Sequence, residues 1–292
     1  MIEIAGIERK LEFSPSHEYN DFLIIHQTAE ELRKLGASVT IYKEENLFIK
    51  EIKEDFIFSM VQSPKGSKKL LEIAATKKFV LNTPESVINC YRYNMNRIME
   101  ENNIPFPKSN IIDTDTEDFS FLNDFEKKLW IKRGDAHAVQ KEDVIYIDNK
   151  REVPDAIKEF RLRGLKKCAI QNHIEGDTIK FYSIYGKDLF YWYTTDSKYY
   201  TIFDIDKLKG IVNKAAKSLG LEVFGGDAII TKDSDIFVID MNDWPSFAPI
   251  RERASKVIAN LIFQKINKFK IKNENVFTYQ NANTGTGIEE IL

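Results

Sequence analysis

Three aspartates and an asparagine, Asp227 at one end and Asp240, Asn242 and Asp243 at the other, stand in a segment of the sequence that is apolar enough to be buried. Residues 224–247, FGGDAIITKDSDIFVIDMNDWPSF, form two apolar runs joined by the polar KDSD. If the runs are β-strands joined by a turn of two or four residues, Asp227 lies directly opposite Asp240. Because side chains alternate along a strand, Val238 and Asn242 share the face of Asp240. Two carboxylates and an amide oxygen would then converge.

Directly opposed carboxylates repel each other, by about 3 kcal/mol at a separation of about 5 Å and an effective dielectric constant of about 20. A hard divalent cation offsets this repulsion, and Mg²⁺ is typically held by one or two carboxylates together with substrate phosphates. Two alternatives need no metal: both acids lie at solvated strand ends, or a three-residue turn shifts the register and sends them to opposite faces. These residues alone leave the metal site and its alternatives equally supported.

The composition limits the class of protein. The 292 residues are 43% apolar, which is enough for one large domain or two to three small ones. The 42 basic and 45 acidic residues give a net charge of −3, so the sequence predicts neither nucleic acid nor membrane as a partner. The sequence shows no signal peptide and no 18-residue apolar run, which predicts a cytoplasmic protein. Cys90 and Cys168 are too far apart in sequence to suggest a zinc site or a disulfide framework.

Alternating strand-like and helix-like runs in the first 80 or so residues predict a small open α/β sheet. Thr83 and Pro84 form a helix start, and apolar residues at helical spacing predict one helix that continues to the IPFP at 104–107. Further helices are predicted at about 154–163 and 205–219.

The order of several motifs resembles the ATP-grasp superfamily over nearly the whole chain. These motifs are NTPESVINCYR, NNIPFPKS, LWIKRGDAHAV, CAIQNHIEGDTIKFY, GLEVFGGDAIIT and FVIDMNDWPSF. The resemblance implies a mixed α/β (α+β) ATP-grasp fold behind a small N-terminal open α/β domain. The expected boundaries are 1–83 for the N-terminal domain, 84–270 for the ATP-grasp domain, about 110–173 for its central lid subdomain, about 174–270 for its C-terminal metal-binding subdomain, and 271–292 for a polar tail.

The resemblance also implies roles for individual residues. Asp227, Asp240 and Asn242 would bind two Mg²⁺ ions that bridge the phosphates of ATP. Mn²⁺ is the alternative metal. Lys132 would reach the nucleotide phosphates, and Lys180 would meet the transferred phosphoryl group or an acyl phosphate. The hinge beside the adenine would be Gln171, Asn172, His173 and Ile174, with Glu175 or Asp177 at the ribose. Without this context, Lys132 reads as a surface lysine at a strand end.

Several positions depart from the usual motifs of the superfamily. The phosphate-covering loop 133–143 has one glycine, so Arg133 or His137 would contact phosphate by side chain. Arg92 is the candidate for a helix cation that is usually lysine. Arg251 suits a substrate carboxylate or phosphate, although a solvated arginine at a helix start is equally consistent. The loops 14–22, 133–143 and 243–251 are expected to line the substrate site.

These expectations combine into an enzyme that joins a carboxylate to an amine at the expense of ATP, through an acyl phosphate, with small molecules or peptides as substrates and a homodimer as the expected assembly. Two alternatives stay open: an ATP-grasp kinase that phosphorylates a hydroxyl group, and a nucleotide-binding module with little catalysis, which the glycine-poor loop would favour.

Overall fold

Three four-stranded sheets follow one another along the chain. The computed structural model describes residues 1–15 and 17–283, with side chains as far as residue 271. The strands are β1 Ile2–Ile7, β2 Ala37–Tyr42, β3 Phe56–Ser59, β4 Phe79–Leu81, β5 Ser109–Asp113, β6 Leu129–Arg133, β7 Val144–Ile147, β8 Lys167–Asn172, β9 Asp177–Ile184, β10 Phe190–Asp196, β11 Val223–Ile230 and β12 Ile236–Asp243. The sheet orders are β2-β1-β3-β4, β5-β8-β6-β7 and β10-β9-β11-β12.

Eight α-helices connect and cover these sheets in the described part of the chain. They are α1 Glu18–Lys34, α2 Asn46–Ile49, α3 Pro64–Ala74, α4 Pro84–Asn89, α5 Arg92–Glu101, α6 Val153–Leu162, α7 Ile205–Leu219 and α8 Arg251–Asn283. None of the helices within this part is long and apolar enough to cross a membrane.

The first sheet is parallel and confirms the predicted open α/β unit. Its core is shared with the end of the chain, because Ile24 and Ile25 of α1 and Phe58 of β3 belong to the same buried cluster as Ile258 and Ile262 of α8. The N-terminal unit is therefore fixed against the C-terminal helix.

The helix predicted from Thr83 to the IPFP is two helices. Thr83 caps α4 as expected, since its side chain accepts from the Ser86 backbone N–H. The helix breaks at Tyr91, whose backbone is extended and whose buried hydroxyl donates to the Gln62 carbonyl (2.9 Å) and accepts from the Ser67 hydroxyl (3.0 Å). The apolar residues keep their helical spacing across this break, so the sequence pattern alone did not predict it. As a result Arg92 begins α5.

The hairpin of β11 and β12 pairs Asp227 with Asp240, as predicted, but reaches this register differently. The connection has five residues, 231–235, so Ala228 pairs with Val238 and the strands start one residue out of the predicted register. A β-bulge between Asp227 and Ala228 removes the offset. Because of the bulge, Val238 and Asp240 do not share a face, so that prediction is wrong: Val238 is buried in a core cluster, whereas Asp240 lines a cavity.

The helices predicted at about 154–163 and 205–219 are observed as α6 and α7, and α7 ends before Gly220 in the left-handed region (φ +79°) as expected. At the C-terminus, α8 extends to Asn283, so residues 271–283 of the predicted tail are helical. The rest of that tail, 284–292, lies outside the described residues.

Gly226 allows the hairpin and strand β9 to approach each other. A Cβ at this position would lie 2.3 Å from the Asp240 carbonyl oxygen and 2.6 Å from the Phe181 ring. We expect Gly226→Ala to lower the free energy of unfolding by about 3 kcal/mol, because neither the backbone nor the buried ring can move away without cost. Urea denaturation would measure this.

The matched control is Gly210→Ala in α7, where an added Cβ meets no atom within 4 Å among the described residues. This change should instead stabilise the chain by about 0.5–1 kcal/mol, since alanine favours the helix. Equal unfolding midpoints for Gly226→Ala and the parent chain would contradict the close packing of the hairpin.

Candidate functional site

Two neighbouring cavities lie between the second and third sheets. The hinge cavity has a volume of about 540 Å³ and is lined by residues that include Trp130, Lys132, Gln171, His173, Ile174, Glu175 and Ile239. The acid cavity has a volume of about 460 Å³ and is lined by residues that include Arg9, Asn20, Asp21, Arg92, His137, Lys180, Asp227, Asp240, Asn242, Asp243 and Ser246. All three predicted metal ligands thus lie at one cavity, and the predicted hinge lies at the other.

Each of the two opposed aspartates contacts a cation. Lys180 Nζ lies 3.3 Å from Asp227 Oδ1, and Arg92 Nη2 donates to Asp240 Oδ2 over 3.2 Å. Burial raises the pKa of Asp227 despite Lys180. Burial also favours the neutral form of Asp240, but Arg92 and Lys132 outweigh it, so the pKa of Asp240 is lowered. The acid cavity therefore contains a half-buried ionised carboxylate beside a second acid.

This donor set fits a hard cation such as Mg²⁺. Asp227, Asp240 and Asn242 offer carboxylate and amide oxygens to the same cavity. Among residues 1–15 and 17–271, whose side chains the structure describes, no three histidine, cysteine or acidic side chains cluster as a complete metal site. An ion bound here would take its other ligands from the amide oxygen, water and a bound anion, which is the usual arrangement for Mg²⁺.

Lys132 lines the hinge cavity and lies beside Ile239, the residue that precedes Asp240 of the acid cavity. The Lys132 ammonium is buried and donates to Gln171 Oε1 (2.7 Å) and to the Ile239 carbonyl (3.4 Å). The alternative of a surface lysine is therefore wrong. Burial, with Arg92 adding to it, lowers the pKa of Lys132 from 10.5 to about 8. The positive charge of Lys132 is thus poorly neutralised by its surroundings, which favours the binding of an anion beside it.

This lowered pKa predicts how stability depends on pH. Between pH 8 and 10.5 the unfolded chain holds the Lys132 proton more tightly than the folded chain, so unfolding takes up a proton and stability rises with pH. The contribution should reach about 3 kcal/mol across this window. Lys132→Met should lack this part of the rise, whereas Lys127→Met, at an exposed position, should keep it. Identical slopes of unfolding free energy against pH in both variants would contradict the buried ammonium.

The predicted hinge residues are held by a polar network. Trp130 Nε1 donates to His173 Nδ1 (3.0 Å), and His173 Nε2 lies 3.2 Å from Glu175 Oε2. The Asn172 side chain accepts from the Glu126 backbone N–H (3.1 Å). The backbone N–H groups of Asn172 and His173 already donate to carbonyls of neighbouring segments. Adenine recognition at the hinge would therefore need other backbone groups.

Glu175 and Asp177 have different surroundings. Asp177 accepts the backbone N–H groups of Lys198 (2.6 Å), Tyr199 (2.7 Å) and Thr201 (2.7 Å). Burial opposes ionisation of Asp177, but these donors lower its pKa to about 2. Glu175 lines the hinge cavity, and hydrogen bonds from Lys198 and then His173 lower its pKa to about 2. Asp177 anchors a loop, which leaves Glu175 as the better placed candidate for a ligand hydroxyl.

Arg251 is not among the described residues that line the acid cavity. Its guanidinium donates to Asn20 Oδ1, and Asn20 in turn lines the cavity, so Arg251 supports the rim. Parts of all three loops predicted to line the substrate site do reach this cavity, through residues that include His17, His137 and Ser246.

Sequence reasoning missed Arg9 of the acid cavity and left Asp243 with no role beyond its place in an expected substrate loop. Arg9 donates to Asp21 (2.7 Å) and to the Trp244 carbonyl (2.9 Å), which ties the loop after β1 to the end of β12. Asp243 is fully buried and accepts from Gln62 Nε2 (2.9 Å). Neither residue carries a local signal, because their partners are distant in sequence.

Comparison with known proteins identifies the fold. No family model matches the sequence, and no curated protein matches it either. Solved structures similar to this chain include D-alanine–D-alanine ligase from Bacillus anthracis complexed with ATP (15% identity, 93% of this chain and 100% of that chain, TM-score 0.68). They also include the D-alanine–D-alanine ligase from Coxiella burnetii (13% identity, 96% of this chain and 99% of that chain, TM-score 0.69). A third is a RimK domain protein ATP-grasp from Sphaerobacter thermophilus DSM 20745 (15% identity, 89% of this chain and 99% of that chain, TM-score 0.67). These likenesses confirm the expected mixed α/β architecture.

Proposed function

We propose that this chain, which has the ATP-grasp fold, is an ATP-dependent carboxylate–amine ligase. The observation that carries the proposal is the buried Lys132, which lies in a hinge cavity suited to a base and donates to the Ile239 carbonyl, directly before Asp240 of the acid cavity. Several of the similar solved structures are ligases, one of them complexed with ATP, which supports the same proposal.

The hinge cavity would hold the nucleobase, with Glu175 at the ribose. The phosphates would then extend past Lys132 into the acid cavity, towards Arg92 and Lys180. Mg²⁺ held by Asp227, Asp240 and Asn242 would neutralise charge on the phosphate oxygens. Arg92 and Lys180 currently contact the two aspartates, so they are placed to contact phosphate oxygens beside the ion.

The proposed reaction has two steps. A carboxylate oxygen of the first substrate attacks the γ-phosphorus of ATP, and ADP leaves. The nitrogen of the amine substrate then attacks the carbonyl carbon of the acyl phosphate, loses a proton, and phosphate leaves with the former carboxylate oxygen. Both steps depend on alignment and on stabilisation of negative charge, and the side chains of the acid cavity supply both. A water-poor cleft would protect the acyl phosphate from hydrolysis.

The substrate side of the acid cavity is formed largely by the N-terminal unit. Asn20 and Asp21 of α1 and the side chain of Arg9 line it opposite Asp240 and Asn242. Because loops at the carboxyl ends of strands commonly form binding sites in α/β sheets, this side is placed to select the carboxylate and the amine.

An ADP-release screen over paired carboxylates and amines tests the proposal. The expected result is ADP formation that requires both substrates, with equal amounts of ADP, phosphate and a product whose mass equals the two substrates minus water. ADP without free phosphate, together with a phosphorylated product, would indicate a kinase instead. Tight ATP binding with no ADP release over a wide panel would contradict the ligase and favour a nucleotide-binding module.

A further inference from the structure

Asp243 is a fully buried carboxylate beside the acid cavity, and the proposed reaction does not use it. Gln62 Nε2 donates to its Oδ1 over 2.9 Å, and His137 Nε2 lies 3.2 Å from the same oxygen without forming an aligned hydrogen bond. Its Oδ2 has no hydrogen-bond partner among the described residues. Since a buried carboxylate without a donor or cation is costly, the contact with His137 should matter.

His137 belongs to the loop 133–143, which a second buried acid holds at its base. Asp143 is fully buried, forms ion pairs with Arg163 and Arg133, and accepts the Val139 backbone N–H over 2.8 Å. The contact of His137 with Asp243 lies at the other side of the cleft, on strand β12. The loop is thus attached to its own sheet through one aspartate and to the third sheet through another.

Backbone amides at both ends of this loop are already paired inside the protein. Gly134 N–H donates to the Lys167 carbonyl (3.1 Å), and the N–H groups of Val139 and Gln140 point to Asp143. Its single glycine is therefore used inside the protein, whereas glycine-rich loops bind phosphates through free backbone N–H groups. The imidazole of His137, in contrast, lines the same cavity as Arg92 and Lys180.

We propose that Asp243 is a positioning residue that holds the imidazole of His137 at the phosphate end of the acid cavity, where this side chain binds the terminal phosphoryl group of ATP. The inference rests on the proposed function, because it takes ATP as the ligand. It adds that the loop recognises phosphate by a side chain oriented from the opposite sheet. The edge of His137 also contacts the Tyr91 ring, with centroids 6.1 Å apart, so the imidazole is confined on two sides.

Calorimetric titration of the full chain with a non-hydrolysable ATP analogue and with AMP, both with Mg²⁺, tests the role of Asp243. Asp243→Asn keeps an oxygen for Gln62 but removes the charge opposite His137. We expect Asp243→Asn and His137→Ala each to weaken binding of the ATP analogue by about tenfold and to leave AMP binding within about twofold. The double variant should bind no more weakly than His137→Ala, because Asp243 acts through His137. Asp233→Asn, in the exposed turn of the same hairpin, should behave as the parent chain.

Several outcomes would overturn this inference. Losses that add in the double variant would show that Asp243 does not act through His137. Equal losses for AMP and the ATP analogue, with a lowered melting temperature, would show a general structural role. If the parent chain binds both nucleotides and Asp243→Asn binds the ATP analogue equally well, the positioning role is wrong and the proposed function stands. If the parent chain binds neither nucleotide, the proposed function itself is wrong.

Discussion

Replacing Asp240 with asparagine is expected to lower the rate of ADP formation by about a thousandfold while the chain remains folded. In the proposed reaction, Asp240 holds the ion that neutralises the transferring phosphoryl group, and no neighbouring acid replaces it, because Asp227 is already opposite it in the same cavity. Asparagine retains an oxygen that can accept from Arg92, so this buried guanidinium keeps its partner. Removal of one of two opposed charges should also limit any loss of stability.

Steady-state kinetics at a series of Mg²⁺ concentrations would measure the effect of Asp240→Asn. The variant should stay slow at saturating Mg²⁺, whereas Asp233→Asn should match the parent chain. Turnover within about tenfold of the parent would show that Asp240 is not a ligand of the essential ion.

Lys132→Met is expected to lower kcat by about a hundredfold or more and to leave binding of adenosine nearly unchanged. The ammonium lies in the hinge cavity beside the Ile239 carbonyl, directly before Asp240 of the acid cavity, where the phosphates would pass, and burial strengthens its attraction to them. Methionine fills a similar volume and removes only the charge and its hydrogen bonds to Gln171 and Ile239. The base would still occupy the hinge cavity.

Two measurements on Lys132→Met separate a local effect from a general one. Kinetics of ADP formation would report the loss of charge, and titration with adenosine would report whether the hinge cavity is intact. Lys127→Met controls for the loss of a lysine close to the same strand, in the exposed bend before β6. A variant that turns over like the parent chain would contradict the phosphate role of Lys132.

The hairpin shows how much of the site the sequence could predict. Residue types and alternation placed Asp227 opposite Asp240, and this pairing is confirmed. The predicted connection of two or four residues was wrong. The five-residue connection and the bulge each shift the register by one residue, and the two shifts cancel. A bulge has no composition signal of its own, so the face of Val238 could not be predicted correctly from alternation.

Long-range contacts limited the rest of the prediction. The break before Arg92 is set by contacts of Tyr91 with Gln62 and Ser67, which belong to another unit of the chain. The contact of Asp243 with His137 joins two residues that are about a hundred positions apart in sequence. Helices α6 and α7, in contrast, depend on local signals, a proline in the first turn of α6 and the Asp204 cap of α7, and their bounds followed from the sequence.

Transfer of an oxygen isotope tests the central claim most directly. With the carboxylate substrate from the ADP-release screen labelled with ¹⁸O, an acyl phosphate requires that one labelled oxygen leave with phosphate in each turnover. The proposed function predicts one ¹⁸O per inorganic phosphate, one unlabelled ADP and an amide that retains the second ¹⁸O. Unlabelled phosphate, with both labelled oxygens still on the product, would contradict phosphorylation of the carboxylate and with it the assignment of a ligase.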